Sequence, residues 1–487
     1  MVSPNSAPDA VADRRARLLA GAAITLGQLS EVLAPLGAMF AERGHSLYLV
    51  GGSVRDAILG RLGTDLDFTT DARPEVVTEL MRGWADQLWD TGGLAFGTVS
   101  AAKDGQQLEI TTFRADSYDR VSRNPEVTFG DTLEGDLIRR DFRVNAMAVR
   151  VLSDGQLEFV DPLNGIDDLL AGVLDTPALP ADSFNDDPLR MLRAARFVAQ
   201  LGFDVTPRVR DAIVDMADQI DRITAERVRA ELDKLIGSEH PIDGINLMVE
   251  TGLAERVIPE IPAMQLEIDE HHQHKDVYQH SLTVLQQAID QEEGDPDLVL
   301  RWAALLHDIG KPDTKRNEEG GGVSFHHHEV VGAKMVRKRM KALKYPKNFT
   351  EEVARLVFLH LRFHGYGKGQ WTDSAVRRYV TDADDLLDRL HKLVRADCTT
   401  RNKRRAAALR ATYDELEERI AVLAAQEDLA RVRPDLDGNA IMELLGLPPG
   451  PQVGAAWKYL KDLRLDRGPL TRDEAEAALI EWWKTQN

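Results

Sequence analysis

The hydrophobic period of this chain changes once, at Asp161-Pro162-Leu163-Asn164-Gly165, and that change limits what it can fold into. Upstream, short alternating or continuous apolar runs recur: Leu47-Tyr48-Leu49-Val50, Leu66-Asp67-Phe68, Thr98-Val99-Ser100, Leu108-Glu109-Ile110-Thr111 and Leu157-Glu158-Phe159-Val160. A period of two places side chains alternately on the two faces of a strand, so these runs predict strands, with helices between them at about 53–60, 74–83 and 143–150. Downstream, apolar residues recur three and four apart through Leu189–Leu201, Val228–Ile236, Val277–Ile289, Leu298–His307 and Val353–Leu361. That is the spacing of a helix with one buried stripe. The expected class is α+β: an N-terminal head with a mixed sheet and helices, then a remainder that is helical to its end, with loops at Gly294-Asp295-Pro296 and Asn317–Gly322.

The 487 residues, 43% hydrophobic and 29% charged, amount to about three domains and exclude a disordered, fibrous or disulfide-built chain. The uncharged stretch Leu18–Ser30 is too short to span a bilayer and contains Gly21 and Gln28, so neither membrane insertion nor a signal peptide is expected. A single cysteine, Cys398, fits a reducing cytoplasm. The formal charge of −20 hides a contrast, because residues 330–410 carry 20 Lys+Arg against 8 Asp+Glu. Such a block either faces a polyanion or solvates helix faces. Histidine is concentrated as well, with 11 of 13 between His271 and His391, which invites metal ligation there.

Two motifs in the head carry chemistry. Leu47–Asp56 reads as a strand, a Gly51-Gly52 turn and a helix start with Ser53 as the expected N-cap. Such a turn brings backbone N–H groups close to a phosphate, and Arg55 adds charge, although an ordinary strand-to-helix connection has the same pattern. Asp65-Leu66-Asp67 follows. On a strand, Asp65 and Asp67 share one face while Leu66 and Phe68 fill the core, and Glu109 in its own alternating run supplies a third acid. An Asp-x-Asp alone is commonly an acidic edge; behind a glycine turn and a helix, this trio suits Mg²⁺.

Gly51-Gly52-Ser53-Val54-Arg55-Asp56 followed by Asp65-Leu66-Asp67 resembles the catalytic signature of the DNA polymerase β superfamily of nucleotidyltransferases. More narrowly it resembles the bacterial-type (class II) CCA-adding tRNA nucleotidyltransferases and their poly(A) polymerase relatives. The resemblance implies a polymerase-β-like head with Mg²⁺ on Asp65 and Asp67, and phosphates at Gly51, Gly52 and Arg55. Arg139–Ala148 resembles the family's second motif, which implies Arg140 against the nucleotide and Asp141 and Asn145 near its ribose. Asp161–Gly165 resembles the hinge from head to neck, Asp186-Asp187-Pro188-Leu189-Arg190 the base-reading motif, and Arg222–Leu235 its helical support. Asp186 stands where the family usually has Glu. Arg193 and Arg196 continue the Arg190 ridge toward triphosphate or RNA.

Base choice follows from chemistry. Cytosine and adenine both present an amino donor beside a ring-nitrogen acceptor, whereas uracil and guanine present a carbonyl beside a ring N–H. A carboxylate with a guanidinium accepts the first pair and rejects the second, and Asp187 and Arg190, three apart at a helix start, share the face to do so. Phe96-Gly97-Thr98-Val99 resembles the CCA-adding element more than the poly(A) one, with Phe96 in place of the usual His. The full-length segment Phe113–Phe129 resembles the loop associated with the switch from C to A. The expected activity is template-independent addition of C, C and A to tRNA 3′ ends from CTP and ATP, releasing pyrophosphate. Poly(A) polymerase is one alternative; a phosphohydrolase with an inactive RNA-binding head is another.

The ordered set His280, His307-Asp308 and Asp397 resembles the HD superfamily of metal-dependent phosphohydrolases. It implies a divalent transition metal or Mg²⁺ on His280, His307, Asp308 and Asp397, with His328, His360 and His364 as candidates for a second ion. His326 and His327 read as spare, and His271, His272 and His274 as a polar linker. The site either hydrolyses terminal or 2′,3′-cyclic phosphates on tRNA ends or persists as a scaffold that holds tRNA. The implied organisation is a mobile tail at 1–30, a nucleotidyltransferase head at 31–170, a helical neck for base and tRNA recognition at 171–265, an HD-type metal-binding domain at 266–400 and a helical C-terminal region at 401–487.

Overall fold

The computed structural model describes residues 6–89, 97–115, 128–130, 132–270, 273–318, 322–363, 371–399, 403–427 and 432–486. They fall into two compact units, Met1–Ile223 with Glu239–Arg256, and Thr224–Ser238 with Val257–Asn487.

The first unit is built on β1 (Leu47–Val50), β2 (Asp65–Thr70), β3 (Gln87–Trp89), β4 (Thr98–Lys103), β5 (Gln106–Thr112), β6 (Arg114–Ala115), β7 (Thr128–Phe129), β8 (Ala148–Val151) and β9 (Leu157–Val160). Seven of them form one sheet in the order β3-β4-β5-β2-β1-β8-β9, while β6 and β7 pair apart. Only β2 with β5 is parallel in that sheet, and the register sets Asp67 opposite Glu109. Alternation does what the sequence predicts: Leu49, Leu66, Phe68, Leu108 and Ile110 are at most 1% exposed, while Asp65 and Glu109 face solvent. Each such apolar side chain contributes about 1.5–3 kcal/mol by leaving water, and Phe68→Ala would cost about 3–5 kcal/mol.

Three expectations need correction. The helix expected at 143–150 is a 3₁₀ turn, Arg143–Asn145, followed by β8, which pairs with both β1 and β9. Ladder pairing on two sides outweighs the local preference of Ala146-Met147-Ala148. The tail expected at 1–30 is a helix from Ser6 to Gly27 that buries Ala22 and Leu26, followed by a second at Ser30–Glu42; its many alanines favour that state. Ser53 is not the N-cap of its helix, which spans Gly52–Ile58 and is capped by Gly51 at φ 71°.

At the joint, the Asp161 carboxylate accepts the N–H groups of Gly165 and Ile166 and starts the helix Gly165–Ala171. A Cβ at Gly165 would lie 2.2 Å from the Arg143 carbonyl oxygen, so only glycine fits there. Helices dominate beyond it, interrupted by short ladders at Val173–Leu174 with Asp204–Val205, Glu267–Glu270 with Gln273–Asp276, and Arg316–Asn317 with Val323–Ser324. In the second unit the helices Val277–Ile289, Leu298–Leu306, Lys347–Leu359 and Leu387–Ala396 pack together. The last three helices share a small core of Ile441, Leu460 and Leu479, with Trp482 against it and stacked on Tyr459 at 4.8 Å. Among the described residues no single helix is long and apolar enough to cross a membrane.

Candidate active site and metal centre

The strand β1, the Gly51 turn and β2 bring the head's acids beside a cation. A Cβ on Gly51 would lie 2.9 Å from Arg140 Nη1 and 3.5 Å from Asp67 Oδ2, so the turn is tight against both groups. Arg140 is oriented by Asp136 at 3.1 Å, four residues back. Burial pushes the Asp67 carboxyl up, the Glu109 carboxylate adds to this, and Asp65 adds more weakly against Arg140 and Arg193. Three mutually repelling hard oxygen donors on one face fit Mg²⁺, whose charge relieves that repulsion.

Behind this face lies a buried polar chain. Arg193, on the helix Leu189–Leu201, makes two hydrogen bonds to Asp141 Oδ2, at 2.8 and 2.5 Å. Asp141 Oδ1 accepts from Asn145 Nδ2 at 2.9 Å and from the Phe142 N–H. Asn145 Oδ1 then accepts from Arg55 Nη1 at 2.6 Å, and Arg55 forms a double contact with Asp56. Burial opposes charge on Asp141, but Arg193, Asn145 and the backbone hold its carboxyl down to about 2. Asp141 and Asn145 are therefore built into the fold, and Arg55, 7% exposed and 5.1 Å from the Phe197 ring centroid, is turned away from solvent. Arg196 likewise lies over Phe197 at 4.0 Å and bonds Gln200.

In the base-reading segment, Asp187 Oδ1 accepts the Leu189 N–H, and Arg190 reaches Ser183 Oγ at 2.8 Å and the Arg139 carbonyl at 2.5 Å. Arg190 is thus anchored at the Arg139-Arg140 pair. Gly52 lies beside Arg55 and Asp56. Phe96 and residues 116–127 lie outside the described residues, as do His271, His272 and His364.

The second unit brings the histidines together. His280, His307 and Asp397 form one group of donors, and Asp308, His328 and His360 another. Asp308 joins them, with Oδ2 3.2 Å from His307 Nε2 and Oδ1 3.2 Å from His328 Nε2. His307, His328 and His360 each direct Nδ1 at the carbonyl three residues back, on Ala304, Phe325 and Val357. Nδ1–H donation there leaves each Nε2 as a lone-pair donor. His307 Nε2 is 3.2 Å from His280 Nε2, and His328 Nε2 is 3.3 Å from His360 Nε2. Facing lone pairs at such distances call for a proton or a cation, so the donor set fits metal ions. Burial works against charge on His307, yet Asp308 and Asp397 push it up to about 9, whereas burial and His307 press His360 down to about 3.

Sequence reasoning missed several partners. Thr399 Oγ1 lies 3.2 Å from His280 Nδ1, and Lys311 Nζ lies 2.7 Å from Asp308. Lys311 follows Asp308 by three residues and Asp136 precedes Arg140 by four, spacings visible in the sequence, whereas Ser183, on a different helix from Arg190, gave no such signal.

Residues 47–175 match the model of the poly A polymerase head domain, 202–264 that of the probable RNA and SrmB-binding site of polymerase A, and 277–401 that of the HD domain. The A-adding tRNA nucleotidyltransferase of Deinococcus radiodurans is 34% identical over 445 residues, 89% of this chain and 95% of that protein. The CC-adding tRNA nucleotidyltransferase of Thermus thermophilus is 32% identical over 89% of this chain and 93% of its own. The crystal structure of the Bacillus stearothermophilus CCA-adding enzyme in complex with CTP superposes with a TM-score of 0.66 at 25% identity, covering 92% of this chain and 96% of that one. On the strength of the Deinococcus similarity along nearly its whole length, the chain belongs to the tRNA nucleotidyltransferase family.

Proposed function

We propose that this enzyme adds C, C and A without a template to tRNA 3′ ends from CTP and ATP, releasing pyrophosphate. The observation that carries the reading is the convergence of Gly51, Asp67 and Arg140, with Arg190 anchored one residue from Arg140. Asp65, Asp67 and Glu109 would hold Mg²⁺, which when bound supplies positive charge to the attacking 3′-hydroxyl and the leaving pyrophosphate. Gly51, having no Cβ, lets the Arg140 guanidinium lie close against the turn, where it is offered to a triphosphate. Asp187 accepts the amino group shared by C and A while Arg190 donates to the ring nitrogen; its five donors exceed the acceptors that Ser183 and Arg139 present. Arg193 holds Asp141 and so keeps the helix bearing Arg190 against the second motif.

The metal groups of the second unit serve a phosphohydrolase acting on terminal or 2′,3′-cyclic phosphates, which have to be removed before a 3′-hydroxyl is free. We place the enzyme in the cytoplasm, with the head at 31–170, the neck at 171–265 and the metal-binding domain at 266–400. A second reading, a single-step enzyme adding only A or only CC, is favoured by the two relatives that match along their length.

The test offers tRNA transcripts ending before, within and after the CCA triplet to each nucleotide singly and in mixture. C is expected on the first two acceptor positions and A on the third, with none added afterwards. A alone on CC ends, or C alone, selects the second reading. Long A tails on any RNA indicate a poly(A) polymerase, and no incorporation overturns the transferase reading.

A further inference from the structure

The strand β1 stops short of the residues it ought to support. Its ladder with β2 runs from Leu47↔Thr70 to Leu49↔Phe68 and then ends, because Gly51 turns the chain away into the helix Gly52–Ile58. Asp65 and Asp67 extend beyond that point. On their other flank β5 continues the parallel ladder through Asp65↔Gln107 and Asp67↔Glu109. Backbone groups of successive strand residues point to opposite edges, so those of Asp65 and Asp67, two apart, share one edge, and without a partner that edge leaves an N–H and a carbonyl to be satisfied.

Ser53 satisfies both. Its hydroxyl, in a residue only 4% exposed, accepts the Asp67 N–H at 2.9 Å and donates to the Asp65 carbonyl at 3.2 Å. One donor and two lone pairs suffice for this bridge, which alanine lacks. We infer that Ser53 is a positioning residue that substitutes for the missing strand and fixes the backbone of Asp65 and Asp67, so that both carboxylates point to one face. The inference rests on the reading that these carboxylates hold Mg²⁺. Ser53 acts through the peptide groups on either side of Leu66.

The test uses the full-length chain and four proteins: wild type, Ser53→Ala, Ser53→Thr and Asp67→Ala. Binding of Mn²⁺ is followed by electron paramagnetic resonance, and the difference between wild type and Asp67→Ala defines the head site. Ser53→Ala is expected to weaken that binding about tenfold and to raise the Mg²⁺ concentration for half-maximal CMP incorporation by a similar factor. The KM for CTP and the thermal melting of the second unit stay unchanged. Ser53→Thr, which keeps the hydroxyl, restores both metal readouts. Wild-type metal binding in Ser53→Ala overturns the inference, as does equal loss in the Ala and Thr variants, which would mark a packing role. Identical Mn²⁺ binding in wild type and Asp67→Ala would instead defeat the underlying reading of the head.

Discussion

The head and the histidine-rich unit gather acidic donors in opposite ways. In the head, carboxylates stand on neighbouring strands at a partly exposed face, and Asp67 is raised first by burial and then by the neighbouring Glu109 carboxylate. In the second unit, His307 and His360 follow the ends of separate helices, and each imidazole is locked by a carbonyl left over at that helix terminus. An open face admits a polymer end and a nucleotide together, with charge supplied by the ion that arrives. A buried set of imidazoles with their Nε2 atoms already fixed is preorganised for metal ions. The comparison teaches that strand register suffices for a site that assembles around its substrate, whereas a resident metal needs its donors fixed beforehand.

The sharpest way to break this contrast is Asp67→Ala. Nucleotide incorporation is expected to fall by about a thousandfold or more, while elemental analysis finds the second unit's metal content unchanged. Arg193→Ala comes next. It leaves the Asp141 carboxylate buried at 6% exposure without its main cationic partner. Chemical denaturation should show a loss of about 3–5 kcal/mol.

The same carboxylate gives a pH test. Held at about 2 against an ordinary 3.8, Asp141 contributes stability that is complete above pH 3.8 and disappears as the pH falls through 2. That contribution is about 2 kcal/mol. Asp141→Asn should flatten this part of the acid limb in denaturation curves recorded between those values. In the other unit, His307→Ala should weaken metal retention by about 10–100-fold yet leave CMP incorporation within about twofold.

The smallest effect concerns the basic block. Several of its arginines are held inside the unit, Arg339 by Glu260 and Arg377 by Glu427, so formal charge overstates what faces solvent. Lys334, Lys338 and Lys341 are exposed on one face of the helix His328–Ala342. Reversing them to Glu should weaken tRNA binding and lower the slope of log affinity against log salt by about three; an unchanged slope would assign them to solvation alone.

The core of both sites is legible in the sequence. Asp65 and Asp67 on one face and Glu109 in its own alternating run follow from local pattern, whereas the His280, His307-Asp308, Asp397 series is legible through its resemblance to the HD superfamily. What stayed hidden depends on contacts between distant segments. Asn145 lies ninety residues from Arg55, and Ser53 spans a gap created by where β1 ends, so neither leaves a local trace. For the same reason the pattern at 143–150 suggests a helix where β8 forms: its partners, β1 and β9, are supplied by the sheet and not by its own residues.

The central claim is met most directly by sequencing the 3′ ends of a tRNA transcript that lacks all three terminal nucleotides, after brief incubation with the enzyme, Mg²⁺ and all four nucleoside triphosphates. The account predicts ends in C, then CC, then CCA, with U and G absent and no growth beyond A. Unaltered ends, oligo(A) tails or free incorporation of U and G would contradict it.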